Sequence, residues 1–107
     1  TAVISDVFEV KDLLVIPNPY NPDNGDMTIS VNITMPATTI TVSVYTVYFR
    51  KVVQERFEGS YLGIRQFAIS ARKLSKLSSG SYYVVVKGMS LDAKTAVSRI
   101  EEMVVLR

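Results

Sequence analysis

The side chains able to do chemistry are few and lie in short clusters. Asp23 and Asp26 bracket Asn24-Gly25, and oxygen ligands on a glycine-containing loop are what a hard cation such as calcium takes. The spacing does not continue to the terminal glutamate of an EF-hand loop, and the simpler reading is a solvated turn in which Asn and Asp bond their own backbone. No metal is therefore assigned, and Asp23 and Asp26 remain a weak candidate. Glu101 and Glu102 are adjacent, so on a strand they point to opposite faces, and Glu55 and Glu58 flank Arg56. Acid–base work by paired carboxylates needs both in one cleft, which neither pair offers. Arg72, Lys73 and Lys76 form the one basic cluster. Single-stranded nucleic acid would need a longer basic track with exposed aromatics, whereas Tyr82, Tyr83 and Phe67 fall within apolar patterns. A net charge of +2 is also weak for phosphate attraction, so no nucleic acid is expected.

Composition closes most other routes to catalysis. The 107 residues include no His, no Cys and no Trp. That excludes a Ser-His-Asp triad, an imidazole acid or base, a thiol nucleophile, a cysteine-ligated zinc or iron–sulfur site, and a disulfide. The sequence is expected to be non-enzymatic and to need no cofactor. It begins at Thr1, with neither a signal-peptide core nor an apolar run long enough to span a bilayer as a helix, and reads as an excised or processed fragment of something longer.

The elements carrying these side chains are strands. Met27, Ile29, Val31, Ile33 and Met35 alternate with Thr28, Ser30, Asn32 and Thr34, a strand with one face on a core. Ile40, Val42 and Val44 repeat the pattern. Further strands are predicted at Phe8 to Ile16, Val52 to Phe57, Ile64 to Ile69, Tyr82 to Val86 and Met103 to Leu106. Pro17-Asn18-Pro19-Tyr20-Asn21-Pro22 cannot be sheet interior, and Met35-Pro36-Ala37, Glu58-Gly59-Ser60 and Ser78-Ser79-Gly80 read as turns. Ser70 to Leu77 suits one helical turn, and the helical spacing from Met89 to Ile100 is outweighed by a hairpin bending near Leu91–Lys94. The sum is one domain over residues 1–107, an all-β antiparallel sandwich of about seven strands. Charge is uneven: five acids and one base in residues 1–49, eleven bases and five acids in 50–107.

Three segments in this order resemble one family. Val15-Ile16-Pro17-Asn18-Pro19-Tyr20-Asn21-Pro22 resembles the "PNPxNP" opening of the C-terminal sorting domains of type IX (Por) secretion, shared with the immunoglobulin-like domain of the flagellar hook-cap scaffold. Leu77-Ser78-Ser79-Gly80-Ser81-Tyr82 resembles the family's "L-x-x-G-x-Y" segment, and Glu102-Met103-Val104-Val105-Leu106-Arg107 its final strand. Thr46 to Arg50 lacks the glycine many members carry there and is unusually apolar. The Trp-Asp-Gly segment of the hook-cap version is also missing.

The resemblance implies an immunoglobulin-like sandwich at the cell surface of a bacterium or secreted from it, handled by the outer-membrane export apparatus through surface recognition and edge-strand pairing. The implied determinants are Pro17, Asn18, Pro19, Gly80, Tyr82, Met103, Val104, Val105, Leu106 and Arg107. A structural alternative is self-assembly into a filament or array, with Asp23 and Asp26 of one copy meeting Arg72, Lys73 and Lys76 of the next. In that reading Tyr48 and Phe49 are anchors on a neighbour; they are otherwise a loop folded back on the domain. A weaker alternative is a carbohydrate-binding module using Tyr20, Tyr45, Tyr48, Tyr61, Tyr82 and Tyr83.

Overall fold

A computed structural model describes residues 8–16 and 18–107. Among them are six strands: β1 (Val10–Ile16), β2 (Met27–Thr46), β3 (Lys51–Ile69), β4 (Gly80–Met89), β5 (Thr95–Val97) and β6 (Glu101–Val105). A short 3-10 turn lies at Pro22–Asn24 and one helical turn, α1, at Ala71–Leu74. Every strand pairing is antiparallel.

The predicted count of strands falls because two expected turns are bends within strands. β2 runs 20 residues straight through Met35-Pro36-Ala37, and β3 runs 19 through Glu58-Gly59-Ser60. The inward parity of β2 explains why it reads as two elements. Met27, Ile29, Val31 and Ile33 are buried in its first half, and Ile40, Val42 and Val44 in its second. Odd positions give way to even ones where the register with β3 breaks, between Ile33 and Ala37 and again before Thr39. An extra residue in one strand of a ladder bends it and changes which face a side chain takes. Pro36 lies exposed at this bend, where a residue without an N–H is tolerated.

The bend doubles the β2–β3 hairpin back on itself. Phe57 and Phe67 stand ten positions apart on β3, about 33 Å in a straight strand. Their ring centroids are 4.9 Å apart, and Tyr61 meets Phe67 edge-on at 5.1 Å. The first half of β2 pairs with β1 and the second half with β4, while β3 follows both. The core lies between the two halves, with Met27, Ile29, Ile40, Ile69, Leu74, Val84 and Met103 fully buried. Gly88 on β4 allows close approach here: a Cβ added to it would meet Phe8 and Val10 side chains at 3.0 Å.

One edge of β4 is shared by β5 and β6. Between them Ser98 keeps the ladder satisfied, its N–H donating to Val86 O at 2.8 Å and its Oγ accepting Val86 N–H at 2.9 Å. The segment Ser70 to Leu77 contains the expected helical turn, with Leu74 and Leu77 buried. The hairpin expected near Leu91 is present, closed by Ser90 N–H donating to Lys94 O at 2.8 Å.

Candidate functional site: the closed C-terminal strand

β6 carries an apolar inner row, Met103 and Val105, which are fully buried. Its outward neighbours Glu102 and Leu106 are exposed and Val104 half-buried, so one strand presents a fixed line of side chains on an anchored base. On one edge it pairs with β4, Val105 opposite Gly80 and Met103 opposite Tyr82. The other edge is closed by the segment around Pro19. Asn18 Nδ2 donates to Glu102 O at 3.0 Å, and Asn18 Oδ1 accepts Val104 N–H at 3.1 Å. Tyr20 N–H then donates to Val104 O at 2.7 Å, and Tyr20 O accepts Leu106 N–H at 2.9 Å. Along this edge Glu102 O, both backbone groups of Val104 and Leu106 N–H are thus taken up. The expected edge-strand pairing at the final strand meets a closed edge here, because an asparagine side chain and one residue of main chain already fill it.

The strand's end is clasped as well. Arg107 N–H donates to Ser79 Oγ at 3.0 Å. Its Nη1 donates to Ser75 O at 2.5 Å and Leu77 O at 3.0 Å, and Nη2 lies 3.5 Å from Asp23 Oδ1. A guanidinium has a planar fork of donors suited to two carbonyls in one plane. Gly80 opens β4 at φ +153°, a conformation side chains rarely adopt, although no atom lies within 4 Å of a Cβ built there. Two residues on, the Tyr82 hydroxyl donates to Ser78 O at 2.9 Å and ties the same turn.

Tyr20 is the inner pin of the opening segment. Its ring is buried, and its hydroxyl donates to Gly25 O at 2.6 Å. Burial, with a smaller contribution from the Asp26 carboxylate, holds the Tyr20 phenol above its ordinary value. Asp26 Oδ1 accepts Ala71 N–H at 2.8 Å, and the Ser70 side chain accepts Arg72 N–H, so both close the start of α1. Lys73 pairs with Glu55, while Lys76 is exposed. The acidic loop and the basic segment, separated in sequence, therefore adjoin within one chain. Asp23 and Asp26 are drawn to different partners, and among the described residues no cluster of three or more metal-ligating side chains forms.

The predicted determinants Asn18, Pro19, Gly80, Tyr82, Met103, Val104, Val105, Leu106 and Arg107 are brought together; Pro17 lies outside the described residues. Ser75, Leu77 and Ser79, which receive Arg107, carried no signal of that role in the sequence. Phe49 folds back, stacking on Tyr83 at 5.4 Å between centroids, whereas Tyr48 projects with 90% of its surface exposed. The six tyrosines do not line one face: Tyr20 and Tyr82 are buried, Tyr61 packs on Phe67, and Tyr45 and Tyr83 stand opposite each other across β2 and β4.

The profile of the secretion system C-terminal sorting domain matches residues 15–99, most of the chain. The chain belongs to that family. Such a sorting domain marks a secreted or cell-surface bacterial protein that engages secretion machinery. The match takes in the opening Pro-Asn-Pro segment and the Gly80 turn of the sorting domain, and the hydrogen bonds above join both to β6. No match was found among curated proteins. Among the described residues of the sorting domain, no helix is long and apolar enough to cross a membrane.

Proposed function

We propose that this sorting domain is a non-catalytic export and attachment module, read by the secretion apparatus as a finished surface around β6. The observation that supports the reading is the convergence of its three sequence motifs on one strand. With the outer edge of β6 occupied, recognition falls to outward groups: the side chains of Glu102, Val104 and Leu106, and the turn at Gly80. Burial of Met103 and Val105, the Asn18 bridge and the Arg107 clasp hold those groups in place, so that a partner does not have to order them on binding.

The assembly reading, in which the chain is a unit of a filament, draws on Asp23 and Asp26 meeting Arg72, Lys73 and Lys76 of a neighbour. Within one chain Asp26 already caps α1 and Lys73 already pairs with Glu55, so no observation favours it over export.

The test is made in the native host. Deleting residues 100–107 removes β6 and is expected to leave the protein inside the cell. Because that deletion also damages the core, Arg107→Ala and Glu102→Lys are run beside it, with folding checked by thermal melts. Reduced export of either folded variant supports the reading. Normal export of all three sinks it.

A further inference from the structure

The tip of the β2–β3 hairpin is built rigidly around an apolar apex. Thr46 holds it from both of its groups: Thr46 N–H donates to Arg50 O at 2.9 Å, and Thr46 O accepts Phe49 N–H at 2.8 Å. Its Oγ1 also accepts the N–H groups of Tyr48 at 3.3 Å and Arg50 at 3.2 Å. A turn followed by one left-handed residue is a standard short hairpin, and glycine is the usual occupant of the left-handed place. Here that residue is Phe49, at φ +63°. The chain holds a bulky ring where the backbone favours none; one face of that ring stacks on Tyr83, and Tyr48 is left projecting from a tip fixed in this conformation.

What the tip displays is specific in chemistry. Val47, Tyr48 and Phe49 are all exposed, Tyr48 at 90% and Phe49 at 64%. Arg50 and Lys51 follow directly, both exposed, and neither forms an ion pair among the described residues. No acidic residue occurs anywhere from 27 to 54. Aromatic side chains beside arginine and lysine are the combination that settles at a membrane–water interface, with rings among the headgroups and cations at the phosphates. Anionic headgroups supply the complementary charge.

We propose that the Val47–Lys51 tip docks on an anionic lipid surface, seating Tyr48 and the outer face of Phe49 among the headgroups while Arg50 and Lys51 meet their phosphates. An exported protein that stays at the cell surface works beside such a surface, and the tip gives it a reversible contact beside the β6 surface, since Tyr83, on which Phe49 stacks, stands opposite Glu102. The contact is shallow: two rings and two cations give weak binding that falls as salt screens the charges.

The absence of tryptophan makes the test direct. Tyr48→Trp places a unique fluorophore at the apex of the 107-residue chain, and Leu91→Trp places one in the β4–β5 turn, at a position equally exposed at 90%. Each is titrated with phosphatidylcholine vesicles, with and without phosphatidylglycerol. The expected result is a blue shift for Tyr48→Trp on the phosphatidylglycerol vesicles alone, reversed by salt, and none for Leu91→Trp. Adding Arg50→Glu to the Tyr48→Trp chain should weaken partitioning by more than the roughly fivefold expected for loss of one cation. No shift on anionic vesicles, an equal shift from both reporters, or indifference to Arg50→Glu overturns the proposal. Crosslinking of the apex to a protein in the host, with no vesicle binding, would assign the tip to a protein partner instead. The export test at Arg107 is unaffected by any of these outcomes.

Discussion

Asn18 and Val104 are joined by a hydrogen bond of 3.1 Å that spans 86 positions of the sequence. The same asparagine donates to Glu102 O, so one side chain does for β6 what a neighbouring strand would do over two residues. Asn18→Ala should lower stability by about 1–2 kcal/mol, because two exposed hydrogen bonds are lost and water partly replaces them. Urea denaturation gives the magnitude. Hydrogen exchange at the Val104 amide should accelerate far more than exchange at Val84 in β4.

The Arg107 clasp predicts a difference between two substitutions. Arg107→Ala removes the donors to Ser75 O and Leu77 O and should cost about 1–2 kcal/mol. Arg107→Lys keeps the charge opposite Asp23 but not the planar fork, so it should recover less than half of that loss. Thermal melts of the three proteins check the order.

Gly80 separates backbone from packing. A methyl group there meets no atom within 4 Å, yet φ is +153°. Gly80→Ala should therefore destabilise by about 1–3 kcal/mol through conformation alone. A Gly80→Ala variant as stable as the parent would show that the turn relaxes to another conformation.

Tyr20 gives a pH dependence with a defined sign. Its phenol is held above the ordinary value of 10.0, chiefly by burial. The neutral form is thus favoured in the folded state, and its contribution is fully present below pH 10 and lost as pH rises through the raised folded value. Ionisation would also remove the proton donated to Gly25 O. Stability should fall on alkaline titration, and Tyr20→Phe should reduce that fall while costing about 1 kcal/mol at neutral pH. Denaturant midpoints measured across this range for both proteins make the comparison.

Much of the fold was legible because burial leaves a period in the sequence. Alternation from Met27 and from Ile40 marked inner faces correctly, and Leu74 with Leu77 marked the helical turn. What alternation does not reveal is continuity. A strand that changes parity at a bend looks like two strands with a turn between them, which is how β2 reads around Pro36. The site was legible as three motifs and not as one place. Their meeting depends on Asn18, Tyr20 and Arg107 bonding to backbone atoms, and any residue type offers a carbonyl. Ser75 and Leu77 could not be picked out for that reason. The uneven charge along the sequence carried no placement in space; Asp26 at the start of α1 and Asp23 near Arg107 set the acidic and basic stretches side by side.

The seam between Asn18-Pro19-Tyr20 and residues 102–106 also fixes an order of events. It joins segments 86 positions apart, and contacts of long sequence separation form at the cost of closing whatever loop still lies between them. On a ribosome, Asn18 and Tyr20 are made well before their partners at residues 102–106. A chain truncated within β6 displays the opening segment without the strand that it covers. The seam thus reports that β6 has docked: its surface exists only once Asn18 and Tyr20 have met residues 102–106.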